Sequence, residues 1–481
     1  MSSTKFGTLA TALNVSQVRR TFLAVSALVL MTPLLSDAQS PPMTYAAITD
    51  RTVRQYPPLP SLGSAGFQFT DPAFGSKMLR VTDQNTRPDR PGRAFFSPAS
   101  AETNAWSTDS TKFFVTGEGG EMIPFSFNPT TMVASRMGNT SNGTGGLLLG
   151  VDGEPGFSYV DPDLIYGQSG SQIVSYRFST GVQTALHDVH NCLPGIQTHG
   201  VGVSGTKDDQ RLLIFVGSTA QNLDTTVYVY DRTLGCRWLN TQTGQVGGQW
   251  GPTGAYTGDS GFTLHNARLS KNGKWAKLTD GSGSPAGVYF WNVETLALIP
   301  CNVNAFPFCP GHMVTGFNLV IDHRGLTDGL NFGIRPMLTP NSVTQLINPE
   351  LSPTQFLVDT HPSWNNVQSD EKQPFCTEVY RTDDLVQRAW DGEIICVETD
   401  APAATVWRFA HHRSRVVSFG DQPKANVSQD GRFVLFTSSW GQTLGLQPVA
   451  DGGGPRDDAF VVQLTPAPTT APTAPTSLSV R

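Results

Sequence analysis

One stretch constrains the fold more than any other: residues 422–438, Gln-Pro-Lys-Ala-Asn-Val-Ser-Gln-Asp-Gly-Arg-Phe-Val-Leu-Phe-Thr-Ser. It reads as a short strand running into Ser428, a turn at Asp430-Gly431, and an apolar return strand from Phe433 to Phe436. Degenerate copies recur upstream, so that units begin near 104, 156, 199, 265, 312, 361 and 423, at intervals of roughly 43 to 66 residues. Examples are Asn104–Ser107 before Lys112–Thr116, and His265–Ser270 before Lys274–Leu278. A unit of this kind cannot bury both faces of its own sheet, so the units must stack on one another. The period is that of four-stranded blades, and the expectation is an all-β, seven-bladed β-propeller over 67–465. The last unit shows three clear strands. Lys77–Thr82 is expected to supply its fourth and so close the ring. A β-sandwich of many short strands is the competing architecture, and it does not explain the repeated hairpin at this spacing. Residues 84–103 read as a loop, and no stretch after the N-terminal segment has sustained helical periodicity.

Composition narrows the partners. Glycine (48) and proline (34) are abundant but apolar content is ordinary, as in a turn-rich folded β chain. Only 15% of residues are charged and the net charge is −6, with no basic run, which argues against a nucleic-acid partner. A polysaccharide or protein ligand and a monomeric state are the expectation.

Residues 1–38 read as an export signal: Arg19-Arg20, then the apolar run Phe22–Met31, then Ser36-Asp37-Ala38 at a cleavage position. Arg19-Arg20-Thr21-Phe22-Leu23 resembles a twin-arginine motif. The mature chain is therefore expected outside the cytoplasm, in the periplasm or secreted, and off the membrane. Residues 39–66 read as an extended lead-in and 466–481 as a Pro/Thr-rich tail. The six cysteines (192, 236, 301, 309, 376 and 396) permit disulfides in an exported chain. Pairing of sequence neighbours is one of 15 connectivities that six cysteines allow.

Residues 423–438 resemble the WD-like repeat of periplasmic TolB-type propellers, with Ser428-Gln-Asp-Gly431 in the place of Ser-Pro-Asp-Gly. The arrangement is also similar to the oligogalacturonate lyase propellers. That resemblance implies a divalent metal held by histidines and a glutamine at the channel mouth. Where that family has a His-Pro-His element before the last hairpin, this chain has Gln422-Pro423-Lys424. Ala474–Val480 weakly resembles the opening strand of a fibronectin type III module.

Four consecutive units open on a histidine: His199, His265, His312 and His361. In a propeller these positions enter the innermost strands, which run the same way along the channel. The four side chains would share one channel end. Gathered imidazoles suit a divalent ion such as Zn²⁺ or Mn²⁺, with Ca²⁺ the oxygen-preferring alternative. Such an ion could grip a uronate carboxylate and acidify the neighbouring C–H. On this reading His265, His312 and His361 are the candidate metal ligands, His199 and Gln422 candidate substrate contacts, and Lys424 a candidate base. The alternative is that each histidine packs within its own blade and the propeller binds a glycan or protein without catalysis. His411-His412 are expected to face solvent. Trp106, Trp238, Trp250, Trp364 and Trp440 suit either sugar stacking or the core, with the core favoured for large aromatics. Asn139, Asn142 and Asn426 head glycosylation triplets, and no Gly-x-Ser-x-Gly, phosphate loop or dinucleotide fingerprint is present.

Overall fold

The hairpin turn is held by side-chain bonds that recur along the chain. Ser428 Oγ donates to Asp430 Oδ1 (2.6 Å) and accepts the Phe433 N–H (3.0 Å). Gly431 sits at φ +68, the left-handed region that glycine enters at little cost. Ser107 with Asp109, Thr206 with Asp208, and Ser270 with Asn272 make the same hydroxyl–Asx bond, at 2.8, 2.6 and 2.8 Å. The N–H groups of Lys112, Arg211 and Trp275 return to those hydroxyls. Ser110 and Asp209 stand where the others have glycine, at φ +57 and +56, at a cost of about 1 kcal/mol each. The bonds are constant where the letters are not, which is why the repeat looks degenerate.

The computed structural model describes residues 40–137, 152–198, 202–218, 223–255, 260–281, 287–301, 309, 312–323, 332–347, 358–381, 389–400 and 403–465. Residues 1–39, on which the export-signal expectation falls, lie outside the described residues. The 466–481 tail and His199 also lie outside them.

Every sheet is antiparallel. Strands Phe95–Phe96, Lys112–Gly117, Met122–Asn128 and Val133–Arg136 form a four-stranded sheet in chain order. Asp152–Phe157, Leu164–Ser169, Gln172–Arg177 and Val182–Asp188 form the next. Strands between Ser204 and Cys301 make one ten-stranded sheet, joined where Asp224 pairs with Leu264. Met313–Thr315, Leu319–Asp322, Gly333–Pro336 and Thr344–Gln345 form another four-stranded sheet. Val358–His411 contributes a pair and a three-stranded sheet. In the last sheet Asn426–Val427, Phe433–Ser438 and Asp458–Gln463 are joined by Lys77–Arg80, with Met78 opposite Val462 and Leu79 opposite Val461, and Gln68–Thr70 adds a fifth strand outside it. Lys77–Arg80 thus supplies the fourth strand as expected. Residues far apart in sequence meet at the centre: Tyr159 donates its hydroxyl to Asn365 Oδ1 (3.0 Å) and Gln429 donates to the Ser158 carbonyl (3.0 Å). The fold is an all-β propeller.

Apolar side chains fill the spaces between successive sheets. Trp106, fully buried, packs on Phe113 and Phe127 of its own sheet and on Phe433 of the last, tying the first sheet to the closing one. Each such side chain contributes about 1.5–3 kcal/mol. The cysteines pair as sequence neighbours, 192–236, 301–309 and 376–396. The lead-in packs on the outside of the Val358–His411 region. Ile48 bridges to Arg408, and Tyr45 sets its ring edge-on to Trp407 and Phe409. This covers a strand edge that would otherwise invite pairing.

Two sequence expectations are corrected here. The 84–103 region is not all loop: Phe95 and Phe96 pair with Gly117 and Thr116. His411 and His412 are buried, not solvent-facing. The His411 ring lies between those of Tyr56 and Phe74, and His412 Nε2 meets the Val379 carbonyl at 3.1 Å. Burial lowers both, His411 to about 4 and His412 to about 3. The Asn426 triplet is structural, because its buried amide donates to the carbonyls of Ala101 (3.1 Å) and Thr103 (2.6 Å).

Candidate functional site at the channel mouth

His265, His312 and His361 line one cavity of about 260 Å³, together with Glu102, Asp280 and Phe419. His265 lies on strand Leu264–Leu269, and His312 directly precedes Met313–Thr315. Sequence reasoning placed them at one channel end because each enters an inner strand at the same point.

His361 is the most constrained of the three. Its Nδ1 lies 2.6 Å from Glu378 Oε1. Glu378 is fully buried, and its second oxygen accepts the Ala425 N–H at 2.7 Å. The Tyr380 ring lies parallel to the imidazole, centroids 5.6 Å apart. A carboxylate on Nδ1 fixes the tautomer and raises the basicity of Nε2. The His312 ring sits 4.6 Å from that of His361 and 5.3 Å from that of His323, while His323 Nδ1 meets the His312 carbonyl at 3.2 Å.

A buried ion pair backs the lining. Lys277, 1% exposed, donates to Glu102 Oε1 and to the Met313 carbonyl (2.8 Å). Burial pushes the Lys277 ammonium below the ordinary lysine value, and Glu102 opposes that shift. Lys277 alternates along strand Trp275–Asp280 with the cavity-lining Thr279, so the two share a sheet face.

The rim is the 414–424 loop. Phe419 is 61% exposed, and Lys424 Nζ lies 3.7 Å from its ring centroid and bonds its carbonyl at 2.6 Å. Lys424 therefore meets the cavity through Phe419. Burial lowers the ammonium to about 8, against nearby Glu154 and Glu378, which raise it. Gln422 is half-buried in the same loop, with its Oε1 buried and lacking a hydrogen-bond partner among the described residues.

Asp421 Oδ2 ties this loop by accepting the N–H groups of Val417 (3.0 Å) and Ser418 (2.9 Å). Burial pushes the neighbouring Asp457 carboxyl up to about 8, and Asp421 adds to the shift. An unfolded aspartate titrates near 4. The folded chain thus holds a proton that the unfolded chain has lost, and stability falls as pH rises from about 4 through about 8. Asp457→Asn is expected to flatten that fall, with a gain on the order of 2 kcal/mol at pH 8 and little change at pH 4, read from denaturant midpoints.

A divalent ion was tested against the donor set. Two imidazoles on one ion, with bonds of about 2 Å, would hold ring centres roughly 4.5–5.5 Å apart. His312 and His361 meet that spacing as a pair. Among the described residues, however, no three His, Cys, Asp or Glu side chains are grouped so as to hold a metal ion. His265 lines the cavity and is exposed, without completing such a group. Among the described residues, which leave out His199, the donor set does not complete the metal centre that the sequence resemblance implied.

Neither a protein-family model nor a curated protein matches the chain. Solved structures similar to it include the oligogalacturonate lyase of Vibrio parahaemolyticus, at 13% identity and a TM-score of 0.49, covering 82% of this chain and 96% of that one. TolB from Acinetobacter baumannii is similar at 13% identity and a TM-score of 0.28, covering 66% of each chain. The C-terminal WD40 domain of Sif2 is similar at 12% identity and a TM-score of 0.35, covering 76% of this chain and 80% of that one. Propellers host many functions, and identities this low transfer none of them.

Sequence reasoning missed Glu378, Glu102 and Lys277. Glu378 ends the strand Phe375–Glu378 and Lys277 stands between Ala276 and Leu278 in Trp275–Asp280, and every residue of both strands is buried. That is a signal, because buried charges are rare unless paired. Glu102 lies in an irregular segment with nothing in the sequence to mark it.

Proposed function

We propose that the protein is an exported, seven-bladed propeller that cleaves an acidic polysaccharide by β-elimination in the channel-mouth cavity. The observation that carries the reading is the His361–Glu378 pair: a cavity-lining imidazole with Nδ1 held by a locked, buried carboxylate. His361 Nε2 is then the basic nitrogen. It takes the proton from the carbon next to the uronate carboxylate. The electron pair left behind forms the carbon–carbon double bond as the glycosidic C–O bond breaks, and the departing oxygen is protonated from solvent or a nearby acid. No step in this reading is routed through a metal.

The seven-blade reading takes 204–255 and 264–301 as two units that share an edge contact, and 358–411 as one unit in two pieces. Export is supported by the signal-like sequence and by three disulfides, which persist in oxidising compartments. Among the described residues no helix is long and apolar enough to cross a membrane.

A second reading, a glycan-binding propeller without turnover, is favoured by one feature: the exposed Phe419 ring at the rim, suited to stacking on a sugar. An ultraviolet assay for unsaturated uronate product separates the two. Product from a uronate polymer, undiminished after chelation and dialysis, supports the lyase. Binding of the same polymer without product supports the second reading. Activity that chelator abolishes and added Mn²⁺ restores would replace the metal-free step with a metal-assisted one.

A further inference from the structure

With no step routed through a metal, one task is unassigned: neutralising the carboxylate of an acidic ligand. We infer that Lys277 does this, and that Glu102 holds its place until the ligand's carboxylate exchanges onto the ammonium. This rests on the reading that the cavity takes a uronate.

The argument is geometric. Lys277 Nζ bonds two cavity-lining residues, Glu102 through its Oε1 and Met313 through its carbonyl, so the buried ammonium lies directly behind the cavity lining. Lys277 is carried by a strand paired on both sides, Lys277 opposite Arg268 and opposite Phe290, and is fixed. Glu102 is carried by an irregular segment between Phe96 and Trp106, held locally by the Thr103 N–H to the Ser100 carbonyl (3.0 Å). Asn426 holds the Ala101 and Thr103 carbonyls on either side of Glu102 (3.1 and 2.6 Å), so the exchange asks only the Glu102 side chain to turn aside while Lys277 stays in place. Glu102 Oε2 is buried with no hydrogen-bond partner among the described residues, so this carboxylate is only half satisfied where it rests. Exchange of one carboxylate for another keeps the buried ammonium paired throughout, which avoids the cost of a lone buried charge. A cavity backed by an ammonium is also a poor seat for a dication.

The test measures binding by calorimetry, with an oligogalacturonate and its methyl ester as probes. The intact chain, disulfides formed, is expected to bind the acid at least tenfold more tightly than the ester. Lys277→Met is expected to remove that preference while leaving ester binding within about twofold. Glu102→Gln is expected to tighten acid binding several-fold, because the competing charge is gone. The double variant Lys277→Met with Glu102→Gln leaves no unpaired charge and serves as the folding control. Loss of acid preference in the double variant, with an unchanged melting temperature, supports the assignment. An unchanged preference in that variant overturns it, as does a wild-type chain that binds both probes equally or neither. A preference lost in chelator and restored by Mn²⁺ overturns it too, since an ion would then hold the carboxylate. The lyase reading fails separately, by absence of unsaturated product while the Lys277-dependent preference persists.

Discussion

Replacing His361 by alanine is expected to lower turnover on a uronate polymer by about a thousandfold while leaving polymer binding within a few-fold. The imidazole lies in the cavity wall and its Nδ1 is committed to Glu378, so its loss removes the basic nitrogen without removing the ion pair or the rim. Glu378→Gln should be milder, about 10–100-fold in turnover, because the amide can still orient the ring but no longer supplies negative charge to it. Steady-state rates with parallel binding measurements check both variants. Equal losses in binding and in turnover would point to a ligand contact or a structural role for His361 instead.

Arg408→Leu is expected to cost about 3–5 kcal/mol of stability and to free the lead-in. Arg408 is fully buried and grips Glu393 twice, Nε to Oε2 at 2.7 Å and Nη2 to Oε1 at 2.5 Å. Its Nη1 also binds the Asp50 carbonyl (3.0 Å), Asp50 Oδ1 (2.9 Å) and the Thr52 carbonyl (2.9 Å). Burial raises the Glu393 carboxyl to about 7 even with Arg408 beside it, so desolvation outweighs the attraction. Removing the arginine leaves that carboxyl alone. The double variant Arg408→Leu with Glu393→Gln should recover most of the loss, because the cost lies in the orphaned charge rather than in the missing bond. Denaturant midpoints check the stability change. Limited proteolysis near Asp50–Arg54 checks release of the lead-in.

Much of the fold was legible because the repeat is written in residues with strong local rules. Ser428, Asp430 and Gly431 each have a defined part in the turn, and the apolar return strands follow by alternation. Closure by Lys77–Arg80 was legible from the missing fourth strand. The inner strand at Phe95–Phe96 was not, because two residues of pairing carry no periodicity and the irregular segment after them hides the register. The buried setting of His411 was missed for a different reason: its ring packs on Tyr56 and Phe74, which come from the lead-in and the first hairpin, far away in sequence. The site was legible as a row of histidines at equivalent places. What the row did not disclose was its chemistry. Glu378 and Lys277 reach the cavity region from neighbouring strands, and pairings such as Glu378 with His361, 17 residues away, or Lys277 with Glu102, 175 residues away, are set by the closed ring. The metal expectation, drawn from the histidine row and from a family resemblance, is not completed among the described residues, which leave out His199.

The central claim is that His361 acts as the base on a uronate seated in the channel-mouth cavity. A crystal structure of the His361→Asn variant with an acidic oligosaccharide tests it most directly. The account predicts sugar density in that cavity, with the carbon next to the carboxylate facing position 361 at roughly 3–3.5 Å, as a poised proton transfer requires. Density confined to another surface, or a sugar whose reacting carbon faces away from position 361, would contradict it.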